Sequence, residues 1–211
     1  MPFRFEKASC VAAGTFNMYI VQPAWLGRRE IAIFPEGTEL EIETRLDAPG
    51  FKFQSPQLPA VWTVTPSRIT LETADPEHEC GETLARVLKA LPWTPLVAVG
   101  TNGVYEGVKS DLDGMGGIAA YPFADRKPAD FELAQRGYHV ALKRGDLVLN
   151  LQLSVKADSV GLSFNAHTDL RNKNNESALD AARGFLDHRR LAESLLSDIF
   201  QVDIEHASRD S

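Results

Sequence analysis

The sequence predicts an α+β fold: antiparallel β-sheet with two main helices packed on one side, in a strands–helix–strands–helix order. Three observations predict it. Short apolar runs with period-two alternation fill both halves of the chain. A helical apolar stripe, Leu84, Val87, Leu88 and Leu91, stops at Pro92. A second helical pattern closes the chain after a three-strand meander.

In the first half, FNMYIVQ (16–22), REIAIF (29–34) and ELEIET (39–44) read as strands punctuated by Pro23, Gly27, Pro35 and Gly37. ELEIET alternates strictly: Leu40 and Ile42 share one face, and Glu39, Glu41 and Glu43 the other. The Pro-rich stretch 47–60 is an irregular connection with a short strand at Phe51–Phe53. Residues 60–74 give two strands around Pro66-Ser67. Asp75-Pro76 reads as a helix start, with Asp75 as N-cap and Pro76 where no N–H is needed.

The second half opens with a strand within 94–107, interrupted by Gly100 and Gly103. Residues 108–135 read as loop. The meander follows: 138–144, a turn at Gly145-Asp146, 147–156, a turn at 157–159, then 160–170. Leu147, Leu149, Leu151, Leu153 and Val155 define one face of its middle strand. Val160, Leu162, Phe164, Ala166 and Leu170 define one face of the last. A one-residue slip would expose the whole apolar set, so this register is firmly specified. Asn174 or Asn175 caps a final helix from about residue 176 to Phe200, with Gly184 a weak point and residues 204–211 a frayed tail.

The 211 residues are expected to form a single domain with lobes at 1–92 and 93–203. The repeated order suggests an internal duplication, although the halves share no residue-level similarity. No apolar run reaches the about 18 residues of a membrane span, and the N-terminus lacks a signal-peptide core. A cytoplasmic location is expected. Formal net charge is −7, with basic residues dispersed, so neither nucleic acid nor an anionic membrane is expected as a partner. Cys10 and Cys80 stand alone, with no zinc spacing, and no cofactor is expected.

Candidate sites are few. Of the large aromatics Trp25, Trp62, Trp93, Phe51 and Phe53, Trp62 alternates like core. Trp25, Phe51 and Phe53 lie in or beside Pro/Gly-rich connections, where they would form a protein-binding groove or cap the core. Arg189 falls on the apolar side of the last helix; its stem packs while its head escapes to water, or it meets a buried carboxylate or a partner. Asp111 and Asp113, in a Gly-rich loop, and His167 and Asp169, on one strand face, are the metal-ligand or acid/base candidates. Neither set is complete, and a solvated loop and a wet sheet face explain them equally. No nucleophile motif is present.

VGLSFNAHTDL, a polar linker, then ALDAARGFLDHRRLAESLLSDIF resembles the closing strand and helix of SecB-like chaperone-fold proteins and related uncharacterised bacterial proteins. The likeness covers roughly 94–203, in element order and a few apolar positions. It implies a homo-oligomer that binds extended polypeptide through apolar grooves. The expected function is therefore non-catalytic: a protein-binding or self-assembling protein, chaperone-like toward a partner polypeptide. The alternatives are a metal-dependent enzyme using Asp111/Asp113 or His167/Asp169, and a structural subunit of a bacterial or phage assembly.

Overall fold

The computed structural model describes residues 3–35, 37–44, 49–108, 135–156 and 159–205. One ten-stranded sheet runs through both halves of the chain. Its strands are β1 (Phe3–Gly14), β2 (Glu41–Thr44), β3 (Phe51–Gln54), β4 (Val61–Thr65), β5 (Arg68–Thr73), β6 (Leu96–Val108), β7 (Gln135–Arg144), β8 (Leu147–Lys156), β9 (Ser159–Asp169) and β10 (Ile204–Glu205). Nine follow the order β2-β3-β4-β5-β1-β6-β9-β8-β7, every neighbouring pair antiparallel. β10 pairs β1 in parallel.

Among the described residues four helices accompany the sheet: α1 (Pro23–Leu26), α2 (Cys80–Lys89), α3 (Asn175–Arg183) and α4 (Phe185–Phe200). The expectation of two main helices in a strands–helix–strands–helix order is thus wrong. Two causes are visible. The segments 16–22 and 29–34 are not strands but turns around α1, which starts with Pro23 at its first position. The closing helix is broken at Gly184, which serves as C-cap of α3 and N-cap of α4. α2 also begins later than Asp75-Pro76 suggests. Asp75 accepts from Glu77 N–H in a local turn at 3.0 Å, and Glu79 caps the helix by accepting from Gly81 N–H at 2.7 Å. The expected frayed tail begins with β10, and 206–211 lie outside the described residues.

The meander forms in the anticipated register. Gly145 takes φ +60 as the first residue of the two-residue β7–β8 turn, a conformation that glycine adopts without a Cβ clash. Each half contributes one long strand and a meander, four strands (β2–β5) in the first and three (β7–β9) in the second, and the long strands β1 and β6 pair at the centre. The row Phe53–Trp62–Leu71–Cys10 in the first half has its counterpart Tyr138–Leu153–Leu162–Tyr105 in the second. The two halves thus share part of their pairing geometry while their side chains differ.

Helices and core lie on one face. One buried cluster gathers Cys10, Phe53, Trp62, Leu71, Leu84, Leu88 and Phe185; the other gathers Tyr105, Leu151, Leu162, Phe164, Leu196 and Phe200. Gly81 lets α2 cross α3 closely: a Cβ there would sit 2.0 Å from the Ala182 carbonyl oxygen and 2.6 Å from Phe185 Cβ. The other face of the sheet carries the polar members of each alternation.

Candidate interaction surface

The open face carries a row of amides running straight across the sheet. Ser9, Asn102, Asn165 and Asn150 are register partners on β1, β6, β9 and β8. Asn102 donates to Ser9 Oγ at 3.1 Å, Asn165 to Asn102 Oδ1 at 2.8 Å, and Asn150 to Asn165 Oδ1 at 3.4 Å. His167 Nδ1 lies 2.8 Å from Asn165 Oδ1. This ladder spends the polar groups on one another and ties both halves of the sheet together.

His167 and Asp169 do not form an acid/base pair. Asp169 is gripped by Arg171, whose Nη2 and Nε donate at 2.6 and 3.0 Å. Those bonds, with a backbone N–H from the same residue, hold its carboxyl well below the usual carboxylate range. His139 aligns with Gln152 and Ser163, whereas His167 aligns with Val148 and Lys143, so the two imidazoles occupy different rows. Among the described residues no group of three or more His, Cys, Asp or Glu is placed to hold a metal ion. Asp111 and Asp113 lie outside the described residues.

The aromatic candidates belong to the core rather than to a groove. Phe53 is fully buried and stacks on Trp62 at 5.4 Å; Phe34 meets both edge-on, and Phe51 stacks on Phe53 at 5.9 Å. Trp25 is partly buried against the same cluster. The core-capping alternative therefore describes all three. Among the described residues the exposed aromatics are Trp93, 93 % exposed beyond α2, and Tyr19, 87 % exposed in the turns before α1.

Arg189 does not reach water. It is 6 % exposed, its Nε lies 3.2 Å from Glu193 Oε1, and its guanidinium sits over the Phe5 ring at 5.3 Å from the centroid. Tyr105 donates its hydroxyl to Glu193 Oε1 at 2.5 Å. Burial, then the neighbouring Glu193 charge, pushes the Tyr105 phenol far up, so it stays a donor. This cluster joins β1, β6 and α4 beneath the sheet and is structural. Cys10 and Cys80 are free and buried; burial raises the Cys10 thiol and pushes Cys80 up to about 12, which leaves both unreactive.

Among the described strands the sheet ends at β7, whose Tyr138, Val140 and Leu142 pack against the core, and at β2. All four of its residues are exposed, Ile42 by 55 %. It pairs β3 on one side, and among the described residues no strand pairs its other edge. Its glutamates border two depressions on the open face. Glu43 shares one of about 410 Å³ with Lys52, Thr63 and Thr65; Glu41 shares one of about 580 Å³ with Gln54, Lys7 and Glu72. ELEIET marks the strand in the sequence, but not its position at the rim. That position follows from β1 and β5 pairing inward, a long-range arrangement. No helix of the described residues is long and apolar enough to cross a membrane. No protein-family model matches the chain, and no curated protein sequence does.

Proposed function

We propose that this protein binds other polypeptides rather than transforming a small molecule, and that an extended segment of the partner adds to the sheet beside β2. The carrying observation is the outer edge of β2, exposed along its length and unpaired by any described strand. Such an edge offers a row of backbone donors and acceptors, and strand addition satisfies them. Ile42, exposed on the helix side of this edge, supplies an apolar contact for the helix-side residue of an added strand that lies beside it. The amide ladder and the two buried clusters tie the middle of the sheet together, and of its two ends β2 is the one exposed at every residue, whereas Tyr138, Val140 and Leu142 of β7 are partly buried. A chaperone-like role toward extended segments is the form this reading takes given the likeness to SecB-like chaperones.

The test is a titration of the ¹⁵N-labelled chain with blocked eight-residue peptides alternating Val with Thr, Lys or Glu. Amide resonances of Glu41–Thr44 should shift with at least one peptide, and Ile42→Pro should abolish the shift while far-UV circular dichroism is kept. If none of the peptides moves those amides at millimolar concentration, the reading is wrong.

A further inference from the structure

We infer that the β2 edge selects segments in which basic and apolar residues alternate, and that it rejects a second copy of itself. This rests on the reading of β2 as a strand-addition site and names its partner by chemistry. Glu41 and Glu43 point to the open side of the sheet, where their register partners are Gln54 and Lys52; Ile42 points to the helix side, beside Phe53. A strand laid along β2 keeps these faces, so its open-side residues, about 6.8 Å apart, fall next to the two glutamates and its other residues next to Ile42.

Charge decides what those open-side residues are. The two depressions together are lined by four carboxylates, Glu6, Glu41, Glu43 and Glu72, against two ammonium groups, Lys7 and Lys52. Lys7 is committed to Glu72 at 3.2 Å. Glu41 accepts from neutral Gln54 at 3.0 Å, which orients its carboxylate without neutralising it. A Lys or Arg beside Glu41 enters the larger depression, its stem passing over apolar wall such as Val61 and its head meeting the carboxylates. An acidic residue at the same place meets like charge.

The same alternation disfavours self-pairing. Two β2 strands joined antiparallel, with the helices of both copies on one side, place open-side glutamates opposite one another in every register. When Ile42 faces Ile42, Glu41 faces Glu43. Like charges directly opposite destabilise a pair, a recurrent device for keeping sheet edges apart. An edge that repels its own kind and attracts cations is suited to a basic–apolar segment of another chain.

The experiment measures fluorescence anisotropy of the three labelled blocked peptides, alternating Val with Lys, Thr or Glu, against the full chain. The Lys/Val peptide should bind at least tenfold tighter than Thr/Val, and Glu/Val should not bind. In Glu41→Gln/Glu43→Gln the preference should shrink below about threefold, with Thr/Val affinity unchanged. Equal binding of Lys/Val and Thr/Val, or a preference that survives the double substitution, overturns the charge selection while leaving strand addition standing. Failure of all three peptides removes both.

Discussion

Arg189 and Glu193, one turn apart on α4, form an ion pair inside the protein with Arg189 Nε 3.2 Å from Glu193 Oε1. Arg189 Nε and Nη1 make no hydrogen bond among the described residues, so the guanidinium is held by charge and by the Phe5 ring. Removing one partner leaves the other buried and uncompensated. Glu193→Leu should therefore cost about 3–5 kcal/mol, whereas Arg189→Met/Glu193→Leu/Tyr105→Phe, which also removes the stranded hydroxyl, should recover most of it. Urea denaturation of both variants measures this. A triple variant no more stable than the single one would contradict it.

The crossing of α2 over α3 depends on Gly81. Because a Cβ at Gly81 would overlap the Ala182 carbonyl, Gly81→Ala must push the helices apart, at about 1–3 kcal/mol or more. Gly161→Ala meets its nearest atom, the Tyr105 carbonyl oxygen, only at 3.8 Å and should change stability little. Melting temperatures of the two variants should differ by several degrees.

Thr101 is buried on β6, and its hydroxyl has no hydrogen-bond partner among the described residues. Thr101→Val has nearly the same shape and removes that unsatisfied group. It should leave stability unchanged or raise it by up to about 1 kcal/mol. A clear loss on denaturation would show that the hydroxyl has a partner.

Acid should weaken the fold through two half-buried imidazoles. Burial lowers both His78 and His188 below their ordinary value, against the opposing charges of Asp75 and Asp187. A depressed folded pKa means that the unfolded chain binds protons more readily. The stability these residues contribute is full above about pH 6.5 and is lost as pH falls through their folded values. Unfolding free energy should decline below about pH 6.5, and His78→Asn/His188→Gln should flatten that decline. The same slope in the variant would assign it to other groups.

The second half was legible because β8 and β9 alternate without interruption between a buried and a polar face. The central strand β1 was not. Its run FRFEKASCVAAG has a register shift between Phe5 and Lys7 that breaks the alternation, and its core positions Ala8, Cys10 and Ala12 are small. Residues 16–34 failed in the opposite sense. Their Val21, Ile33 and Phe34 are buried, as in strands, but they cap the core from turns in which Asn17 and Pro23 shape the backbone. Arg189 was visible as a conflict on the helix face, but its resolution needed Glu193, Tyr105 and Phe5 brought together from three elements. The candidate surface shows the same limit. Alternation marked ELEIET as a strand, and only the order of the assembled sheet placed it at a rim.

A strand added beside β2 would take the outward-pointing amides of β2 out of water. The most direct measurement is site-resolved amide hydrogen exchange of residues 41–44, with and without saturating Lys/Val peptide. Strand addition predicts slowing of at least tenfold at the outward-pointing amides of β2, with little change in β8 and β9. Unchanged exchange at β2 under saturation, or protection appearing elsewhere instead, would contradict the account.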